Sequence, residues 1–178
     1  MSAKLGLVAW ILLAGSVMAA DPIDISTSSS PVAVPVHDQK GLDWGGFYAG
    51  IYGGVRVDTA SGTQPTLGVQ AGVNAEFDFY LVGAEVAVEG LTGGVGDTSY
   101  GQLLGRAGLV ATDDVMIYAA GGYGIDLGAP ADKDVLVGVG AEMAISESLS
   151  IEAQYLRSLP VTGGGASDQF TVGTNFHF

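Results

Sequence analysis

The chain has 178 residues, a formal net charge of −13 at pH 7 and no cysteine. That length suits about one domain, the acidity argues against a nucleic-acid partner, and without cysteine no disulfide framework supports the fold. At the amino terminus Lys4 precedes an apolar run from Leu5 to Val17, broken only by Gly6, Gly15 and Ser16 and followed by Met18-Ala19-Ala20. This is the pattern of a secretory signal peptide, and the run is shorter than the roughly 20 apolar residues of a spanning helix. A signal peptide is therefore expected over residues 1–19, with cleavage after Ala19 or Ala20. Residues 20–43 shift to Ser, Pro, Asp and Val, with Ser26-Thr27-Ser28-Ser29-Ser30 and prolines at 22, 31 and 35. They read as a flexible exported arm, serving as a spacer before the folded domain or, less simply, as a peptide that binds a periplasmic partner.

A folded domain is expected over 44–178. Alternation of apolar and polar residues with a period of two predicts β-strands at 47–57, 66–77, 80–90, 100–111, 115–125, 135–145, 149–157 and 169–178. In the second, Leu67, Val69, Ala71, Val73, Ala75 and Phe77 share one face, with Gly68, Gln70, Gly72, Asn74 and Glu76 on the other. The last strand puts Phe170, Val172, Thr174, Phe176 and Phe178 on its apolar phase, and the chain stops on that phase. Connections alternate in length: tight at 78–79, 112–114 and 146–148, longer at 58–65, 91–97, 128–133 and 159–165. Short turns at one end and longer loops at the other are the habit of outer-membrane barrels. The expected fold is all-β: an eight-stranded antiparallel transmembrane β-barrel, an up-and-down meander with both ends on the periplasmic side.

Two motifs carry a resemblance. Asp43-Trp44-Gly45-Gly46-Phe47-Tyr48-Ala49-Gly50 and the terminal Val172-Gly173-Thr174-Asn175-Phe176-His177-Phe178 resemble the first and last strands of the small outer-membrane barrels of the outer-membrane immunogenic protein family, porin-like surface antigens. Asp43 departs from the pattern, standing where an aromatic or apolar residue is usual. The resemblance implies residence in the outer membrane, a structural or surface-antigen role, and recognition of Phe176 and Phe178 by the barrel-insertion machinery.

Charge divides by face. The outward phases of the expected strands carry only Arg157, at an outer end, whereas the inward phases collect Arg56, Glu76, Glu85, Glu89, Arg106, Glu142 and Glu152. A soluble barrel such as a lipocalin would reverse this, with charges outside and an apolar cavity inside. Phe77, Tyr80, Phe176 and Phe178 fall at the periplasmic rim, and Tyr123, Tyr155 and Phe170 at the outer one, as interfacial aromatic girdles do. Glycines crowd the inward phase, either making room for Tyr48, Tyr52, Tyr100 and Tyr118 or leaving a thin water path.

Counting register across the turns places Glu85 near the height of Leu104 or Arg106, and Glu142 opposite Glu152. Arg106 is the basic side chain at mid-lumen, with Arg56 nearer the outer mouth, and a guanidinium binds carboxylates in a forked geometry. A lumen network of Arg106 with Glu85 and at least one of Glu142 and Glu152 is expected, blocking free flow. Catalysis would need a base beside a nucleophile. The histidines are His37 in the arm and His177 at the inner end of the last strand, the latter read as a solvated rim residue with no serine at its height. Gly138-Val139-Gly140 lies inside a strand with no following helix and is no phosphate loop, and Asp132-Lys133-Asp134 reads as an acidic surface loop. No catalytic residue, metal site or cofactor is expected. Three roles stay open: a structural or surface-antigen barrel in contact with outer-membrane lipid and lipopolysaccharide, a narrow cation-preferring channel, and a barrel that binds through its loops.

Overall fold

The computed structural model describes residues 41–58, 62–91, 98–128, 133–161 and 164–178. The expected signal peptide, the arm up to Lys40 including His37, and Asp132 lie outside the described residues. Eight strands follow one another in the order β1 Gly46–Asp58, β2 Gly62–Phe77, β3 Tyr80–Leu91, β4 Thr98–Thr112, β5 Val115–Asp126, β6 Lys133–Ala144, β7 Leu149–Pro160 and β8 Ser167–His177. Each pairs antiparallel with the next, and β1 closes on β8 through Tyr48 opposite His177 to Asp58 opposite Ser167. Closure leaves no edge strand, so every strand finds backbone partners on both sides. The carboxy-terminal residue joins in, with Phe178 N donating to Phe47 O at 2.9 Å. Among the described residues there is no helix.

One barrel end carries the tight turns and both ends of the folded domain. Asp78 makes the β2–β3 turn at φ 54°, a left-handed conformation that aspartate tolerates better than most residues. The strands run past their expected bounds at the other, loop end. Gly62 to Pro65, read from composition as loop, continue β2 opposite Asp58 to Val55. Pro65 sits beyond the end of β3, whose pairing starts at Thr66 opposite Leu91, so its missing N–H interrupts no ladder there. The extensions at Lys133 and Ser167 correct the count of outward charges: Lys133 and Asp168 join Arg157 on the outer face, all near the loop end. Arg157 Nη1 and Asp168 Oδ1 are paired at 2.9 Å, and the Tyr155 hydroxyl donates to the same Asp168 oxygen at 2.7 Å.

The two faces differ as the alternation requires. Phe47, Ile51, Leu67, Val69, Val86, Leu103, Val139, Val172 and Phe176 are exposed on the outside, while Tyr48, Gln70, Glu85, Gln102, Arg106, Glu142, Glu152 and Asn175 are buried inside. The apolar cluster of the interior runs from the turn end, where Leu81 and Met116 lie with Leu42 and Trp44 from the segment before β1, up to Leu104, Leu136 and Leu156 farther along the lumen. Residues 41–43, counted by composition with the arm, therefore include a side chain packed into the barrel.

Candidate functional site

The lumen is filled by two polar layers, each built on one arginine. Glu85 on β3, Arg106 on β4, Glu142 on β6 and Glu152 on β7 all fall on the inward phase, and register sets their heights: Glu85 opposite Leu104, Arg106 opposite Gly83, and Glu142 opposite Glu152. The Arg106 guanidinium reaches three carboxylates. Its Nη1 lies 3.1 Å from Glu85 Oε2, and its Nη2 lies 3.1 Å from Glu142 Oε2 and 3.9 Å from Glu152 Oε1. All four residues are at most 3% exposed.

Buried charge on this scale is tolerable only where most remaining lone pairs and protons find partners; here the carboxylate oxygens and both Arg106 terminal nitrogens do, whereas Arg106 Nε does not. The Tyr48 hydroxyl accepts from Arg106 Nη1 and donates to Glu85 Oε2 at 2.6 Å. Tyr118 donates its hydroxyl to Glu152 Oε1 and lays its ring under the guanidinium, 3.9 Å from Cζ to centroid. Gln70 Nε2 donates to Glu152 Oε2 at 2.6 Å, while Asn175 Nδ2 donates to Glu142 Oε1 at 3.0 Å and Glu152 Oε2 at 2.8 Å. The tyrosines complete what the charges begin: none of their hydroxyls entered the expected network, because a period-two reading assigns a side chain to a face without its reach. Their rings explain several inward glycines. A Cβ built on Gly72 would lie 2.4 Å from Tyr48 Cζ, one on Gly68 2.4 Å from Tyr52 Cζ, and one on Gly140 2.3 Å from Tyr118 Cζ. Each glycine is the register partner of its tyrosine, so glycine makes the floor on which the ring lies.

The second layer is nearer the loop end. Arg56 Nη2 pairs with Glu89 Oε1 at 2.9 Å, and its Cζ lies 3.9 Å over the Tyr100 ring. Glu89 also accepts from Thr66 Oγ1 at 2.8 Å and from Gln169 Nε2 at 2.6 Å. Tyr100 in turn donates to Asp134 Oδ2 at 2.5 Å, so Asp134, assigned by composition to a surface loop, is an inward residue of β6.

His177 corrects the expectation of a solvated rim side chain. It is 6% exposed, stacked on Tyr48 with ring centroids 5.7 Å apart and covered edge-on by Trp44. A serine does stand at its height: Ser150 Oγ is 3.1 Å from His177 Nε2 and donates to Glu142 Oε1, which is also 3.1 Å from that nitrogen. Register could have found this pair, since Ser150 faces Asn175 across β7–β8, two residues from His177. A nucleophilic relay needs serine and carboxylate on opposite ring nitrogens, whereas both sit at Nε2 here, and Ser150 is fully buried. Among the described residues no group of His, Cys, Asp and Glu is arranged to hold a metal ion.

Phe176 and Phe178 are on the outside at the turn end, 48% and 76% exposed, with ring centroids 5.1 Å apart. Phe77 stacks on Tyr80 at 5.2 Å farther round the same rim. The side chains named for the lumen thus converge, whereas these aromatics form part of a separate external belt.

No protein-family model and no curated protein matches the chain. Among solved structures, it is similar to Ail, the attachment invasion locus protein of Yersinia pestis, with a TM-score of 0.55 at 13% identity, covering 74% of this chain and 96% of that one. It is also similar to the Neisserial surface protein A, with a TM-score of 0.51 at 12% identity over 74% of this chain and 97% of the other. The amino-terminal β-barrel domain of Pseudomonas aeruginosa OprF gives a TM-score of 0.52 at 13% identity, covering 72% and 97%. At such identities the likeness is one of architecture, and the chain has the closed eight-stranded meander fold of the small outer-membrane β-barrels.

Proposed function

We propose that this chain is an integral outer-membrane β-barrel of the bacterial envelope, exported through a cleaved signal peptide, with a structural and surface-displaying role rather than a transport or catalytic one. The observation that carries this reading is the inversion of faces around a filled lumen. Apolar side chains cover the outside, where a soluble barrel would be charged, while two arginines with their carboxylates occupy the inside as stacked hydrogen-bonded layers. Lys133, Arg157 and Asp168 lie on the outer face near the loop end, within reach of lipid and lipopolysaccharide headgroups. Membrane fractionation combined with gel mobility before and after heating tests the reading. The folded chain is expected in the outer-membrane fraction as a band that shifts on boiling; a soluble periplasmic species, or one whose mobility ignores heat, would refute it.

A narrow channel is the second reading, favoured by the excess of lumen carboxylates, Glu85, Glu89, Glu142 and Glu152, over Arg56 and Arg106. In planar bilayers the filled-lumen reading expects little or no steady conductance, and a stable cation-selective conductance would favour the channel instead.

Assembly follows from the exposed carboxy-terminal aromatics. Phe176 and Phe178 serve here as the signal read by the barrel-insertion machinery, because both stand exposed on the lipid-facing phase at the turn end of the barrel. Deleting Phe178 should leave export unchanged and reduce the heat-modifiable form several-fold; an undiminished amount of that form would remove the assignment.

A further inference from the structure

The turn end of the barrel is covered by the segment that precedes β1. Leu42 is 4% exposed and Trp44 2%, both within the apolar cluster that includes Leu81 and Met116. The Trp44 indole meets the His177 ring edge-on with centroids 5.8 Å apart. Gly41 lies so close to the β4–β5 turn that a Cβ built on it would be 2.6 Å from the Asp113 carbonyl oxygen.

The character of these contacts matters more than their number. The side chains of Leu42 and Trp44 hold by packing, the Trp44 and Gly45 backbone N–H groups donate to the half-buried Glu76 carboxylate on β2, and the hydrogen bond from Gly45 N to Asp43 Oδ1 at 2.9 Å is internal to the segment, so it survives if the segment moves. Trp44 Nε1 is buried without a hydrogen-bond partner, so lifting the indole into water gains a bond for that donor instead of breaking one. At the junction with β1, Gly46 has φ +99°, a conformation that glycine adopts freely and other residues rarely do. Beneath the indole lie His177, Ser150 and Glu142, groups that water solvates well once it is admitted. A closed state held by two apolar side chains over a polar floor and by two backbone hydrogen bonds to the half-buried Glu76, which water can replace, with a glycine at the pivot, is a local structure able to open without unfolding the strands.

We infer that residues 41–45 form a hinged lid over the turn end of the lumen, and that its opening admits water and small cations to a vestibule floored by the Arg106 layer. The charge of that floor sets the preference, since Glu85, Glu142 and Glu152 face one arginine there and a net negative cleft concentrates cations. The loop-end layer of Arg56 and Glu89 stays in place, so the opened space is a vestibule and not a pore. The inference needs a folded barrel and is independent of which membrane holds it.

The chain contains no cysteine, so Ser150→Cys introduces a single thiol at a fully buried site beneath the lid. In the full chain, folded as judged by heat-modifiable mobility, its reaction rate with a small cationic methanethiosulfonate reports how often the lid opens. Trp44→Ala should raise that rate at least about tenfold, because the buried indole is the largest group holding the lid shut. An anionic reagent of the same size should react more slowly than the cationic one. A thiol that fails to react with or without Trp44, or a rate indifferent to Trp44, would overturn the lid, and equal rates for the two reagents would overturn the cation preference.

Discussion

Arg106→Ala should destabilise the barrel by about 3 to 5 kcal/mol, the usual consequence of removing one partner from a buried ion pair. The loss is large because the side chain serves three carboxylates at once. Glu85 and Glu142 each lose an ion pair at 3.1 Å and Glu152 its longer contact at 3.9 Å, while Tyr118 loses the cation over its ring. What remains is three neighbouring carboxylates at the centre of a closed lumen, held by donors from Tyr48, Tyr118, Gln70, Asn175 and Ser150 that cannot neutralise them. Adding Glu85→Gln to the alanine variant should recover part of the loss, since it removes one of the repelling charges while keeping an acceptor for the Tyr48 hydroxyl. Arg106→Lys should fall between wild type and alanine, because an ammonium keeps the charge and cannot bridge Glu85 and Glu142 as a planar fork does. Urea titration followed by the heat-modifiable band measures all of these. Any conductance of the alanine variant in a planar bilayer should prefer cations. Wild-type stability for Arg106→Ala, or anion preference, would reject the network as the element that holds and seals the lumen.

Much of the network was legible because a meander couples sequence to height. Once the β6–β7 turn is located, reflection about it brings Glu142 opposite Glu152, and the observed register pairs them. Parity alone assigns Arg106 and Glu85 to the inside. The tyrosines were placed on the correct face but not in the network, since their hydroxyls cross the lumen to strands that are not neighbours: Tyr48 on β1 reaches Glu85 on β3, and Tyr118 on β5 reaches Glu152 on β7. Strand ends were the other loss. Gly62 to Pro65 and Ser167 have turn-like composition, yet they extend strands because Asp58 and Val57 across the β1 seams hold both sides of the ladder. Leu42 was hidden for a third reason, which is that a single apolar residue two positions before Trp44 is too little to be distinguished from linker, and the inward packing of Trp44 itself could not be read from its place at the start of the domain. The partner of Trp44, His177, is 133 residues away.

Gly122→Ala and Gly121→Ala, adjacent substitutions that each add one methyl group, should differ in effect by at least about 1 kcal/mol, the lower end of the cost of overpacking. Gly121 points outward, and a Cβ there meets only the Leu136 carbonyl oxygen at 3.7 Å, an ordinary contact. Its substitution should stay within about 0.5 kcal/mol of wild type, as for most exposed sites. Gly122 points inward, where a Cβ would lie 1.9 Å from the Leu103 carbonyl oxygen and 2.9 Å from Leu104 Cα. Those are backbone atoms of β4, and no rotamer change relieves them; β4 and β5 must separate, in a barrel whose closure lets no strand move alone. Gly140→Ala should act by another route. Its Cβ would strike Tyr118, a ring pinned between the Arg106 guanidinium and the Glu152 carboxylate, so the methyl group strains the polar layer rather than the sheet. Residues sharing one network are non-additive, and the cost of Gly140→Ala should therefore shrink when Arg106 is already alanine and Tyr118 is free to shift. Equal stabilities for the alanine variants at 121 and 122 would show that the lumen-side backbone has room to spare, and a cost of Gly140→Ala unchanged in the Arg106→Ala background would show that the ring is not held by the arginine.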